Sequence, residues 1–199
     1  MLENQLKFNY KRVPIIDEKY FRKLSDFSCA NEGLNNFLQG EAIKFHNQGL
    51  GLTTLIINEE NDDIMGYYTI RSNALQYCTE DSELSYVLKP EQDNSEEKYI
   101  NLYEVIPVIE ITRFAIDLNY SRKRLGSAVL AELIMEEIIG DIATKIGINA
   151  IFVLSSPDAV GFYEFVGFQQ FPQDIQKRIK DSETNGCIGL YYTLFNSEE

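Results

Sequence analysis

The chain has 199 residues, 44% hydrophobic and 25% charged, enough for one ordinary globular domain with a full core and with nothing that demands a second. Its formal net charge of -13 would repel phosphate backbones unless the 18 basic side chains were segregated on one face. Nucleic acid is therefore a poor first expectation; a cationic small molecule or a lysine-rich peptide suits the long-range field better, and solubility alone equally accounts for an acidic surface.

In chain order, residues 8–16 (FNYKRVPII) predict an opening strand, and DEKYFRKLS after them a short helix with acidic residues at its start. From Asn31, Leu34, Phe37, Leu38, Ala42 and Phe45 recur at helical spacing and give one apolar stripe, which Gly49 and Gly51 interrupt. LTTLIIN and IMGYYTIRS follow as two β-rich runs around the turn-like EENDD. Residues 79–98 are acidic and lack apolar periodicity, which predicts a long loop. IPVIEITRFAID then reads as a buried strand, and residues 122–145 as a helix whose face is carried by Leu125, Val129, Leu133, Glu136 and Ile139. Strand AIFVLSS, helix DAVGFYEFV, strand-like GFQQF and the closing strand CIGLYYTLF complete an α/β (α+β) domain on a mixed sheet.

Residues 1–9 lack the apolar segment of a signal peptide, and no later run approaches the roughly 20 apolar residues that cross a bilayer, so a cytoplasmic protein without membrane contact is expected. Cys29, Cys78 and Cys187 are widely spaced and form no CxxC pattern, which predicts free thiols. His46 is the single histidine, and neither a His-based triad nor a metal site is supported.

One segment carries chemistry. ITRFAIDLNYSRKRLGSAVL runs from a strand through a basic loop into a helix, and the unpaired amides of a helix N-terminus hold anions, phosphate above all. Arg122, Lys123 and Arg124 add positive charge there, and Gly126 permits a close approach to the backbone. Plain solvation of a basic run is the alternative.

The stretch Ser121-Arg122-Lys123-Arg124-Leu125-Gly126 resembles the acetyl-CoA-binding motif of the GNAT superfamily of N-acetyltransferases, Q/R-x-x-G-x-G/A. Downstream, residues 159–168 (AVGFYEFVGF) resemble the family's A-x-x-F-Y-E-x-x-G-F signature. Ser121 and Arg124 depart from the first motif, where glutamine or arginine and a glycine are usual. The resemblance implies the GNAT fold, a splayed mixed sheet flanked by helices, with acetyl-CoA as cosubstrate and direct attack of a primary amine on the thioester within a ternary complex.

Carried over residue by residue, it implies that Tyr163 protonates the departing thiolate and that Glu110, in an otherwise apolar strand, is the general base. For Glu110 an ion pair with Arg113 or another cation is the competing role, and for Tyr163 it is core packing. The backbone of Phe114, Ala115 and Ile116 is implied to pair with the pantetheine arm, and Arg122, Lys123, Arg124, Leu125, Gly126 and Ser127 to hold the pyrophosphate. Ser156 falls where many relatives have a cofactor-holding asparagine. Relatives are often dimers, so a homodimer is among the assemblies implied. LNNFLQGEA, GYYTI and IPVIEITRFAID further resemble the acetyltransferase toxins that modify aminoacyl-tRNA. That reading, and a non-catalytic acyl-CoA-binding module, are the alternatives to a small-molecule or peptide acetyltransferase.

Overall fold

A computed structural model describes residues 8–77, 104–173 and 186–194; the acidic stretch expected as a loop at 79–98 lies outside them. Seven strands form one sheet: β1 (Tyr10–Pro14), β2 (Leu52–Asn58), β3 (Ile64–Tyr77), β4 (Glu104–Ile116), β5 (Ala150–Ser155), β6 (Gln169–Gln170) and β7 (Ile188–Thr193). Their spatial order is β1-β2-β3-β4-β5-β7-β6. Every described pairing is antiparallel except β4 with β5, so the sheet is mixed, as expected.

Leu55, Ile56 and Ile57 are all fully buried, which is why β2 reads as a continuous apolar run: both of its faces are covered. One cover is a 3-10 helix over Glu18–Asp26 followed by α1 over residues 32–47, α-helical at both ends and widened to π geometry at Phe37–Glu41. Phe37, Leu38 and Ala42 pack there against Leu55, Ile57 and Tyr67. Asn31 caps α1 by accepting from the Leu34 amide at 3.1 Å.

The parallel β4/β5 pair needs a crossover, and α2 over residues 125–142 supplies it on the opposite face. Its buried positions are Leu125, Val129, Leu130, Leu133, Ile134 and Ile138. Glu136, expected on the apolar face, is exposed and pairs with Arg12. The cause is the π geometry of Leu133–Ile142, whose wider turn rotates the apolar stripe from 133 onto 134 and 138. α3 (Val160–Val166) follows a 3-10 turn at Pro157–Ala159, and Gly167, at φ 108°, ends it in the left-handed conformation that favours glycine.

One irregularity sets up the site. In the β3/β4 ladder Thr69 faces Arg113 while Ile70 faces Ile111, so Thr112 is a bulge without a partner residue. Before it, Ile109 and Ile111 point into the α2/α3 core; beyond it, Phe114 and Ile116 take over that face. Arg113 and Ala115 are thereby turned to the α1 side, as Val108 and Glu110 are upstream.

Candidate active site

β4 pairs with β5 only from Val108/Ala150 to Ile111/Val153, although β4 runs on to Ile116 and β5 to Ser155. The two parallel strands part beyond that rung, and the backbone of Phe114, Ala115 and Ile116 is left without a strand partner on the β5 side. This is the splay expected from the resemblance. It opens toward the carboxyl ends of a parallel pair, where α/β sheets bind ligands.

The loop from β4 to α2 closes one end of the opening. Among the described residues the amides of Ser121, Arg122, Lys123 and Arg124 make no hydrogen bond, and the first intrahelical bond of α2 is Ala128 N–H to Arg124 O at 3.2 Å. The amides of Leu125, Gly126 and Ser127 are the usual orphans of a helix start. Arg122 (φ 58°) and Arg124 (φ 62°) are both left-handed, a conformation that costs a non-glycine residue about 1 kcal/mol and that belongs to turns gathering successive amides around an anion. This explains why a glycine is usual at position 124. Here the chain accepts the strain and keeps an exposed guanidinium.

The loop is braced from outside. Buried Asp117 accepts from the Ser28 and Asn119 amides, each at 2.9 Å, and the Leu118 amide donates to Ser28 O. The Tyr120 hydroxyl accepts from Asn58 and Asn61 and donates to Asp63 at 3.3 Å, tying the loop to the β2–β3 turn. Lys123 donates to Asn119 O at 2.8 Å. Sequence reasoning missed Asp117 and Tyr120, although both lie inside the segment it singled out.

Two expectations for this segment change in detail. The Leu125 side chain is core, so only its backbone faces the loop. A Cβ at Gly126 would come within 3.3 Å of both Ile116 and Phe162, so this glycine lets α2 lie close on β4 and α3. Ser127 Oγ donates to Arg124 O at 3.0 Å, and Ser156 is exposed at the end of β5 without a side-chain cap bond.

Tyr163 lies on α3 inside the core cluster that α2 and α3 share with the sheet, which is the core packing weighed as its competing role. Its ring meets Phe162 and Phe168 edge-on at 5.1 and 5.5 Å, and Phe162 stacks on Phe114 of β4 at 5.5 Å. The residue is only 6% exposed, and its hydroxyl has no hydrogen-bond partner among the described residues. Burial pushes the phenol well above its ordinary value, so at neutral pH it keeps its proton. A buried hydroxyl left unbonded costs about 1–3 kcal/mol, which a ligand atom at that position would recover.

Glu110 sits one rung before the strands part, on the side away from Tyr163, and is 5% exposed. It is ion-paired, but with Arg71 and not with Arg113. Arg71 stands directly across the β3/β4 ladder and donates Nε to Glu110 Oε2 at 2.6 Å, while Asn73 Nδ2 donates to the same oxygen at 2.7 Å. Arg113 is engaged elsewhere, its guanidinium 4.7 Å from the Phe37 ring centroid and its Nη1 bonded to Thr112 O at 2.7 Å. Among the described residues no group of three His, Cys, Asp or Glu side chains is arranged to hold a metal, and no helix is long and apolar enough to cross a membrane. Cys29 and Cys187 are free thiols, Cys29 buried; Cys78 lies outside the described residues.

Orphan amides and cations at the loop and a free strand edge beside it are together suited to an elongated ligand with an anionic end.

No protein-family model matches the chain. Among solved structures it is similar to a tyrosine-to-phenylalanine mutant of the AtaT toxin, with 18% identity, 97% of this chain and 94% of that one covered, and a TM-score of 0.69. AtaTR bound with acetyl-CoA gives 19% identity, coverage of 93% and 94%, and a TM-score of 0.68. AtaT complexed with acetyl-methionyl-tRNAfMet gives 20% identity, coverage of 93% and 95%, and a TM-score of 0.65. The likeness spans nearly the whole of each chain, mixed sheet and helices together: the protein has the GNAT fold that its two motifs resemble.

Proposed function

We propose that this chain is an N-acetyltransferase that moves the acetyl group of acetyl-CoA to a primary amine by direct attack in a ternary complex. The observation that carries the reading is the parting of β4 and β5 beside the left-handed basic loop; the buried, unbonded hydroxyl of Tyr163, on the helix whose Phe162 stacks on Phe114, supports it. The amides and cations of residues 121–127 would hold the pyrophosphate, and the free edge at Phe114, Ala115 and Ile116 the pantetheine arm. Acetyl-CoA supplies the activated acyl group. Tyr163 holds a proton for the sulfur as the C–S bond breaks, and the amine loses one as the amide forms.

Glu110 is the proposed acceptor of that second proton, through water. Arg71 and Asn73 occupy its Oε2, and Oε1 has no bond among the described residues, which leaves one oxygen for the task. The ion pair and the base role are compatible on this arrangement.

A second reading takes the amine to be that of an aminoacyl-tRNA. It is favoured by the similarity to AtaT complexed with acetyl-methionyl-tRNAfMet and opposed by the net charge of -13. The first expectation against nucleic acid is weakened to that extent.

Thiol release from acetyl-CoA over a panel of polyamines, amino acids, N-terminal peptides and aminoacyl-tRNA tests the function. Tyr163→Phe should retain acetyl-CoA binding by calorimetry and lose about a hundredfold or more in kcat with whichever acceptor is used. Wild-type turnover preserved in that variant would remove Tyr163 from the mechanism.

A further inference from the structure

We propose that the α1 side of the β4/β5 opening carries an anion-binding subsite for the acceptor, in which Arg71 recognises a carboxylate or phosphate a few bonds from the reacting amine. The inference rests on the acetyltransferase reading and specifies the acceptor at that same site.

Arg71 is built to present a fork. Its Nε is committed to Glu110 Oε2 at 2.6 Å, and Glu110 is buried and further held by Asn73, so the inner edge of the guanidinium is anchored to the sheet. The terminal nitrogens make no bond among the described residues, and the side chain is 43% exposed, so they are accessible. An arginine fixed through Nε loses little conformational freedom when its outer nitrogens take up a planar anion, and the resulting bonds are charge-assisted and directional.

The local charge points the same way. Arg113 lies on the same face two rungs along the ladder, held over Phe37. Of these three side chains, the two guanidiniums outnumber the one carboxylate, in a chain whose net charge is -13. An acceptor that was only a cation would be repelled here. An amine bearing an anionic group can place that group on Arg71 and its nitrogen toward the strands' opening, one rung beyond Glu110. Charge recognition at this point reverses the preference for purely cationic acceptors that the overall charge suggests.

The test uses matched acceptor pairs that differ only in the anion: an amino acid against its amide for the carboxylate, and phosphoethanolamine against ethanolamine for the phosphate. The wild-type protein should favour the anionic member of at least one pair by about tenfold or more in kcat/KM, and which pair responds identifies the anion. In Arg71→Gln that ratio should fall to near one, with the change in the acceptor KM. Arg71→Lys, which keeps the charge without the fork, should fall between, and it carries the test if the glutamine variant does not fold by circular dichroism. Equal use of both members by the wild type, or a preference untouched in a folded Arg71 variant, overturns the subsite while leaving the acetyltransferase reading intact. Failure to acetylate any amine overturns both.

Discussion

Two buried polar groups flank the opening between β4 and β5, and they are treated in opposite ways. On the α2/α3 side the Tyr163 hydroxyl has no partner among the described residues; on the α1 side Glu110 is gripped by two donors on one oxygen. A neutral hydroxyl can be left unbonded at a tolerable cost, whereas a carboxylate in the same degree of burial needs a cation and hydrogen bonds to remain charged. The bonded group is held in place through one oxygen before any ligand arrives, and its other oxygen bonds to nothing among the described residues.

The contrast can be broken by stability measurements. Glu110→Gln should cost about 1–3 kcal/mol in urea unfolding, because it removes the charge that pairs with Arg71, and the partial exposure of Arg71 keeps the loss from being larger. Tyr163→Phe should raise stability by about 1 kcal/mol or more, since it removes a buried hydroxyl that bonds to nothing among the described residues. Equal losses in the two variants would mean that Tyr163 has a structural partner. Kinetics sharpen the same point: if Glu110 is the base, its glutamine variant loses kcat, whereas if it only holds Arg71 the loss appears in the acceptor KM.

The apolar surroundings of the phenols give a pH signature of smaller size. Tyr67, Tyr68 and Tyr163 are all pushed above the ordinary phenol value of 10.0, with burial as the largest cause in each. A raised value in the folded state means that above pH 10 the unfolded chain has released protons the folded one still holds, so stability falls as pH rises from there. Absorbance at 295 nm should show these phenols ionising together with unfolding. Free titration of every tyrosine in the folded protein near pH 10 would contradict their burial.

The smallest expected effect belongs to the basic loop. Arg124→Gly should relieve a left-handed arginine and raise stability by a few tenths to about 1 kcal/mol, while weakening acetyl-CoA several-fold if the guanidinium contacts phosphate. Unchanged affinity, measured by calorimetry, would assign the grip to the backbone amides alone.

What was legible in the sequence was what is local. The strand-loop-helix around Arg122–Gly126 and the α3 signature around Tyr163 are contiguous, and both lie where the motifs imply. The pairing of Arg71 with Glu110 was not legible, because it joins positions 39 residues apart through the register of β3 on β4. Arg113 was the natural guess, three residues along the same strand. It shares Glu110's side only because of the bulge, and the facing residue across the ladder is the better placed. The shift of the buried stripe on α2 escaped for a similar reason: a regular helical period does not announce where the turn widens.

The single unpaired residue at Thr112 therefore does more than bend a strand. Everything downstream on β4 takes its inside or outside address from it: drawing Thr112 into the ladder as an ordinary paired residue would turn the Arg113 guanidinium toward the oily interior and expel Phe114 and Ile116 to the other side. Loss of Thr112 itself would straighten the ladder and keep those addresses, whereas one further residue inserted between Arg113 and Ile116 would reverse the addresses beyond it, so the strand is counted like a reading frame with one silent position.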